Sequence, residues 1–388
     1  MKRRLFSLFV SMAILVAGLT GCASSPQNKA ESEWLQSAAL NARETPQQLY
    51  QAALGEDVLV IYSNTTRIYD TQKAFEAAYP GLTADVQFLR AADLVSLLRE
   101  NAQTGEALCD VVICTDNDAI LSTQMVPEGL LHKYVPWDME DKILPQYNTE
   151  VLDFMVECGL LFYNSEVYRA PPIANWWELT EPQYSGKFYM VDPLRSHTTN
   201  ALLFTFIQHS DAMAAAYEDL YGKALQVPAG STAGHEFWRM LVANGAQFTS
   251  SSDEALELVG MPGQSDPPMA ILVSSKDRKA DLGYAIAPAY DVAPTAGVVV
   301  PSSVMIHGGA TNVNAAKLFI RFLLGEADGR GEGLAPYMHE GSWPVRSDVT
   351  SPSAVQLEDV DFWLLDKRFM AENLQDITEY WVGLRQGG

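Results

Sequence analysis

The sequence predicts an α/β protein of two lobes, on three observations. Short apolar, β-branched runs recur, each closed by a polar turn. Helix-periodic stretches follow them. The same alternation starts again after about residue 159, and 388 residues are enough for two hydrophobic cores.

The first strand is Val58-Leu59-Val60-Ile61-Tyr62, a run continuous enough to be buried on both faces. Ser63-Asn64-Thr65-Thr66 forms the polar turn after it. Ile68, Phe75 and Tyr79 then recur at helical spacing up to Pro80-Gly81. Ala84 to Leu89 predicts a second strand, and Asp93 to Glu100 a second helix. Cys109 to Cys114 is a third strand, closed by Thr115-Asp116-Asn117-Asp118. This alternation predicts a parallel, doubly wound sheet. The second series runs through Gly159 to Tyr163, a short helix from Trp176, a strand over Lys187 to Asp192, and an apolar helix towards Gln208. Met269 to Val273 and Gly297 to Val300 read as further strands, and Asn314 to Leu324 as an amphipathic helix.

The formal net charge of −22 repels nucleic acid and anionic lipid surfaces, so neither is expected as a partner. Residues 23 to about 55 are polar, with a short amphipathic stretch from Trp34 to Leu40, and read as a tether with one docking helix. Of four cysteines, Cys109, Cys114 and Cys158 are expected to be buried free thiols, and no Cys/His spacing suggests zinc.

Lys2, Arg3 and Arg4 precede an apolar run from Leu5 to Leu19 that is too short for an ordinary membrane span. Leu19-Thr20-Gly21-Cys22 then resembles the lipobox of bacterial lipoproteins. That resemblance implies a signal peptide over residues 1–21, acylation of Cys22, and a tether over 22–56. The protein would then work outside the cytoplasm, lipid-anchored at the cell surface or in the periplasm.

The order of segments resembles the extracellular solute-binding proteins of ABC importers, in the branch of ferric-iron, thiamine and sugar-phosphate binders. The anchors are Leu59 to Thr66, Cys109-Asp110-Val111, Leu160 to Ser165, and Tyr184-Ser185-Gly186-Lys187-Phe188 leading into Asp192-Pro193. Gly297-Val298, Asn314 to Lys317 leading to Phe322-Leu323, and Gly341 to Pro344 before Val345-Arg346 complete the series. The resemblance implies a type II periplasmic-binding-protein-like fold, with two doubly wound lobes joined by crossing hinge strands. Lobe one would comprise residues 57–160 and 298–345, and lobe two 161–297 and 346–388. Ligand would bind in the cleft, with hinge closure around it. The implied partners are a small solute, an ABC permease and its ATPase, with the chain acting as a monomer and without a cofactor.

In open α/β sheets, ligands bind beyond the carboxyl ends of strands. Those ends carry Ser63, Asn64, Thr65 and Thr66, then Thr115 and Asp116, then Ser196, His197, Thr198 and Thr199 at the start of a helix. Helix N-terminal N–H groups favour an anion, although Ser196 or Thr198 could equally cap its own helix. In the iron-binding relatives a tyrosine pair follows the strand matched by Met269 to Val273. Here that place reads Ser274-Ser275-Lys276-Asp277-Arg278, and the family's histidine after the first strand is replaced by Asn64-Thr65-Thr66. Hydroxyls and a lysine are poor ferric ligands. Ser275, Lys276 and Arg278, with Arg67 and Arg195, suit a phosphate- or phosphonate-bearing solute instead. Ser251 and Ser252 match a position that helps hold the anion in the iron-binding relatives. Trp343 and Tyr62 are candidates to stack on an organic part, with core packing the alternative for Tyr62. Alternatives are a ferric-iron or thiamine-type binder and a ligand-sensing module for a membrane receptor.

A hydrolase is disfavoured. Gly230-Ser231-Thr232-Ala233-Gly234 lacks the order of a nucleophile elbow, and His307-Gly308-Gly309 precedes no such elbow. His235-Glu236 has no second histidine one turn on. No enzyme activity is expected.

Overall fold

The computed structural model describes residues 33–104, 107–116, 118–326 and 331–387. The expected signal segment, Cys22 and the first part of the tether lie outside the described residues. One sheet runs through the whole molecule, in the order β2-β1-β3-β10-β5-β8-β6-β7. Its strands are β1 (Leu59–Ser63), β2 (Ala84–Phe88), β3 (Val111–Cys114), β4 (Leu131–His132), β5 (Leu152–Asn164), β6 (Phe188–Val191), β7 (Gln247–Thr249), β8 (Met269–Val273), β9 (Ile286–Pro288), β10 (Gly297–His307), β11 (Trp343–Pro344) and β12 (Phe362–Leu364). The short strands β9 and β11 pair with β5, and β4 and β12 pair with β10.

The flanks obey the expected parallel rule: β1 is parallel to β2 and β3, and β6 is parallel to β7 and β8. The centre does not. β10 runs antiparallel to β3 and β5, and β5 antiparallel to β8, so the sheet is mixed rather than parallel throughout. The cause is the pair of crossing strands, β5 of 13 residues and β10 of 11, which pair from Gly297↔Leu160 to Val304↔Leu152. A register shift between Ser302 and Ser303 bends this ladder.

Both faces of β1, β3 and β8 are covered, which is why their sequences are apolar without alternation, whereas the outer strand β2 alternates buried and exposed residues. Ile61, Val111 and Ile113 enter one core with α2 (Pro46–Ala53), α3 (Ile68–Ala78) and α9 (Val313–Leu323). Their neighbours Tyr62, Val112 and Cys114 face the opposite core with Leu94 and Leu98 of α4 (Ala91–Thr104). In the second half Ala270 and Leu272 join the first core, whereas Met269 and Ile271 face a third. That third core holds Trp176, Trp177, α5 (His197–Gln208), α6 (Ser210–Tyr221), α7 (Ala233–Ala243) and α10 (Lys367–Gln386). The remaining helices are α1 (residues 33–38) and α8 (Ser252–Gly260). Cys109, Cys114 and Cys158 are buried free thiols, and burial pushes the Cys114 thiol up to about 12.

The tether boundary at residue 56 needs correction. α2 is opened by Pro46 and by a reciprocal capping box between Thr45 and Gln48. Its Leu49 and Ala53 are buried in the first core. Glu56 then caps α9, accepting from the backbone N–H of Asn314 at 3.0 Å and of Ala315 at 2.8 Å. Trp34 Nε1 donates to Ala310 O at 2.9 Å, and Trp137 Nε1 to Glu44 O at 3.0 Å. Residues 44–56 are therefore a strap integral to the fold. Glu44 pairs with Lys317, whose side chain is 2% exposed. Glu44→Ala leaves that ammonium buried and unpaired, and is expected to cost about 3 kcal/mol. Urea denaturation checks this, and adding Lys317→Met should recover most of the loss.

Candidate functional site

Three helices begin at one cavity of about 810 Å³. Arg90 to Ala92 opens α4, Arg195 to His197 opens α5, and Ser250 to Ser252 opens α8, and all of these residues line it. Asn64 and Thr115, at the ends of β1 and β3, complete the facing wall. Ser196 caps α5 by accepting from Thr199 N at 3.4 Å, and Ser251 caps α8 by accepting from Glu254 N at 3.2 Å. Each cap satisfies one N–H of its first turn, and the positive end of each macrodipole remains at the cavity. Arg90 and Arg195, which both line the cavity, have no ion-pair partner among the described residues. Asp118 brings one carboxyl to the same cavity, and burial raises it above the ordinary aspartate value.

The expected site residues divide into three groups. Asn64, Thr115, Asp116, Ser196, His197 and Ser252 line this cavity. Asn64 Nδ2 lies 3.5 Å from Thr115 Oγ1. The Asp116 carboxylate is engaged with its own chain, accepting from Leu121 N at 2.9 Å and Ser122 N at 3.1 Å. Burial lowers the His197 imidazole below the usual histidine range, with Glu157 acting against it.

Ser275 and Arg278 belong to a second group beside it. Arg67 Nη2 donates to Glu157 Oε1 at 2.7 Å and to Ser275 Oγ at 3.3 Å. Burial pushes the Glu157 carboxyl up, but Arg67 and Ser275 more than offset this and hold it below the usual range. His339, kept neutral by burial and by the neighbouring Arg67, accepts from Arg278 Nη1 through Nε2 at 2.9 Å. Ser342 Oγ lies 3.3 Å from Glu157 Oε1 and 3.1 Å from His339 Nδ1.

The third group is occupied elsewhere. Ser63 Oγ accepts from Thr65 N at 3.2 Å inside the turn, Thr65 Oγ1 accepts from Arg67 N at 3.4 Å, and Thr66 is exposed. Lys276 pairs with Asp253 in the first turn of α8. Thr198 is buried, and its Cγ2 lies 2.5 Å from where a Cβ on Gly159 would stand. Gly159 thus lets the first turn of α5 rest on the crossing strand. Tyr62 and Trp343 are both core residues.

A second cavity of about 790 Å³ shares Thr115, Asp116 and His197 with the first. There Lys367, at the start of α10, brings Nζ to 3.7 Å from Asp116 Oδ2. Buried Asp153 accepts from Ser303 Oγ, and burial raises its carboxyl to about 6 with Lys367 acting against the shift. Below about pH 4 this group is protonated in both the native and the unfolded chain. Between about pH 4 and 6 only the native chain holds the proton, so stability falls as pH rises, and the cost is complete above 6. Asp153→Asn keeps an acceptor for Ser303 and removes that cost. It is expected to stabilise the protein by about 2 kcal/mol at pH 7 and to flatten the melting temperature across the window.

Sequence reasoning passed over Arg90, Glu157, His339 and Lys367. Arg90 sits beyond the end of β2, a strand end the site argument left aside. Glu157 lies four residues after Asp153 inside a mostly apolar strand, and that pair of carboxylates at a crossing was the available signal.

A family profile described as bacterial extracellular solute-binding protein matches residues 70–360. No protein of curated function matches the sequence. By structure the chain is similar to iron-bound HitA from Pseudomonas aeruginosa, at 18% identity and TM-score 0.63, over 84% of this chain and 99% of that one. It is similar at 18% identity and TM-score 0.62 to AfuA from Actinobacillus pleuropneumoniae with fructose-6-phosphate bound, over 84% and 98%. The Atu4243-GABA receptor aligns at 16% identity and TM-score 0.63, over 84% and 97%. At these identities the likeness is one of fold.

Proposed function

The chain belongs to the bacterial extracellular solute-binding proteins, and on that premise we propose that it captures a small phosphate- or phosphonate-bearing solute for an ABC importer. The observation that carries the reading is the meeting of three helix N-termini with Arg90 and Arg195 at one cavity. Backbone N–H groups at three helix starts and two guanidiniums face the carboxyls of Asp116 and Asp118 there. Asp116 is already engaged by Leu121 N and Ser122 N, which leaves the guanidiniums to an anionic ligand. The lobes, residues 57–160 with 298–345 and 161–297 with 346–388, hinge about β5 and β10 and close on the anion. Arg90 and Arg195, one from each lobe, approach and repel until an anion lies between them, which couples closure to binding.

Ser196, Ser252, Asn64 and Thr115 supply neutral hydrogen bonds beside the charge. Ser275 and Arg278 contribute through the Arg67–Glu157 cluster that borders the cavity. The donor set, hydroxyls and amides rather than phenolates, favours an oxyanion over ferric ion. The ligand undergoes no chemistry. A lipid on Cys22 holds the protein at the membrane outside the cytoplasm, where the monomer presents its cargo to a permease and the attached ATPase.

A thermal-melt screen tests the reading. At a hundred times its dissociation constant, a ligand adds about 2.7 kcal/mol. Phosphate monoesters and phosphonates should raise the melting temperature, whereas polyamines and ferric citrate should not. A rise confined to ferric citrate or to cationic solutes would reject the proposal.

A further inference from the structure

Each of the two arginines on the cavity has an exposed apolar side chain close before it in the chain. Phe88, the last residue of β2, stands two residues before Arg90, and Leu194 stands immediately before Arg195. All four line the cavity of about 810 Å³. Phe88 is 45% exposed and Leu194 48%, and no other large apolar side chain on this cavity is as exposed among the described residues. A lone exposed leucine needs no explanation. A phenyl and an isobutyl group left open to one concave space, one from each lobe of the proposed closure, match the lining of a small-molecule site.

Local structure presents both side chains. Ala84, Val86 and Phe88 share one face of β2, where Ala84 and Val86 are buried in the first core. Phe88 continues that face at the strand end and is exposed there, with the backbone held by Leu89 N donating to Ser63 O at 2.9 Å. Leu194 sits in the single turn Pro193–Arg195. Asp192 Oδ1 accepts from Leu194 N at 3.0 Å, and Asp192 O accepts from Arg195 N at 2.8 Å. α10 braces the same carboxylate: Trp381 Nε1 donates to Oδ1 at 3.0 Å, and Arg385 Nε lies 3.4 Å from Oδ2. The turn is thereby fixed before any ligand arrives, so ordering it costs little on binding.

Chain geometry sets the scale of what fits. Consecutive Cα atoms lie about 3.8 Å apart, so each apolar side chain starts within about 7 Å of the residue that carries its guanidinium. A ligand whose acid group meets the arginines brings its first few carbons to Phe88 and Leu194. Hydroxyls on those carbons would be stripped of water against apolar surface, whereas a ring or branched alkyl group would gain by burial. We propose that the solute is an amphiphilic oxyanion, a phosphonate or phosphate ester whose apolar body, a phenyl ring or an alkyl group of similar size, is clamped between Phe88 and Leu194. The inference deepens the reading of the cleft as an anion site and rests on it. A bare anion engages only the helix starts and the arginines. A ligand with an apolar body also removes Phe88 and Leu194 from water, and so favours the closed form further.

The test is titration calorimetry of the full-length protein with phenylphosphonate and methylphosphonate, at a mildly alkaline pH where both are dianions. The unaltered protein should bind phenylphosphonate at least about tenfold more tightly. Both affinities should fall as salt rises while their ratio holds, because burial of the ring involves no charge. Phe88→Ala and Leu194→Ala should each reduce the preference at least about threefold. The double variant should remove it and leave methylphosphonate binding within about twofold of the parent. Phe88→Leu, which keeps an apolar side chain, should retain most of the preference. Both side chains are largely exposed, so the melting temperatures should stay near that of the parent. Equal binding of the two phosphonates, or a preference that survives the double variant, would overturn this inference and leave the anion site standing. Binding of neither would overturn both.

Discussion

Replacing Arg90 and Arg195 together by alanine is expected to lower the affinity for a phosphate-bearing solute by about a hundredfold. Each guanidinium is exposed at the cavity rim, so each is assigned about 1.4 kcal/mol, at the low end for a charge-assisted hydrogen bond. The loss should shrink as ionic strength rises, because salt screens the attraction that the variant lacks. Calorimetry at low and high salt separates this from a loss of shape. The same variant should close more readily when empty, since the repulsion between the two arginines is gone. Small-angle scattering of the unliganded protein reads that as a smaller radius of gyration. An affinity unchanged at low salt would return both arginines to the solvated surface.

Gly297→Ala is expected to destabilise the protein by about 3 kcal/mol. A Cβ at this position would stand 2.0 Å from Gly159 O and 3.1 Å from Leu160 Cβ, where β10 enters its ladder with β5. Backbone has to move to admit it, and this backbone is where the two crossing strands meet, the hinge of the proposed closure. Chemical denaturation measures the loss, and a shift in the closure equilibrium should accompany it. Gly383→Ala is the contrast: its Cβ meets nothing within 4 Å on the exposed side of α10, and it should stabilise by about 0.5–1 kcal/mol. A Gly297→Ala protein as stable as the parent would mean that the crossing strands are less tightly opposed than these distances require.

Both predictions turn on features that the sequence revealed unevenly. The flanking strands were plain because double-sided burial leaves continuous apolar runs, as in Val111 to Cys114 and Met269 to Val273. The polar ends of those strands were plain for the same reason, and they brought Asn64, Thr115, Ser196 and Ser252 to one cavity. The full extent of β5 and β10 was hidden because Asp153, Glu157, Ser302 and Ser303 interrupt the apolar pattern where the two strands cross. The strap over residues 44–56 was read as tether because a helix that buries only Leu49 and Ala53 shows too narrow an apolar face to stand out.

Side-chain partners were the least legible. Nothing in the chain near Asp116 or Lys276 announces that their charges are spent on Ser122 and Asp253. Conversely, Arg90 and Arg195 gain their meaning only from being brought to the same space by elements more than a hundred residues apart. Periodicity reports which face is buried. It does not report which polar group on that face is left without a partner.

The most direct test of the central claim compares a phosphate monoester with its neutral parent alcohol by calorimetry over a range of salt concentrations. An anion held by helix N-termini and two arginines requires binding of the ester alone, with affinity falling as salt rises. Equal binding of the alcohol, or an affinity for the ester indifferent to salt, would contradict it.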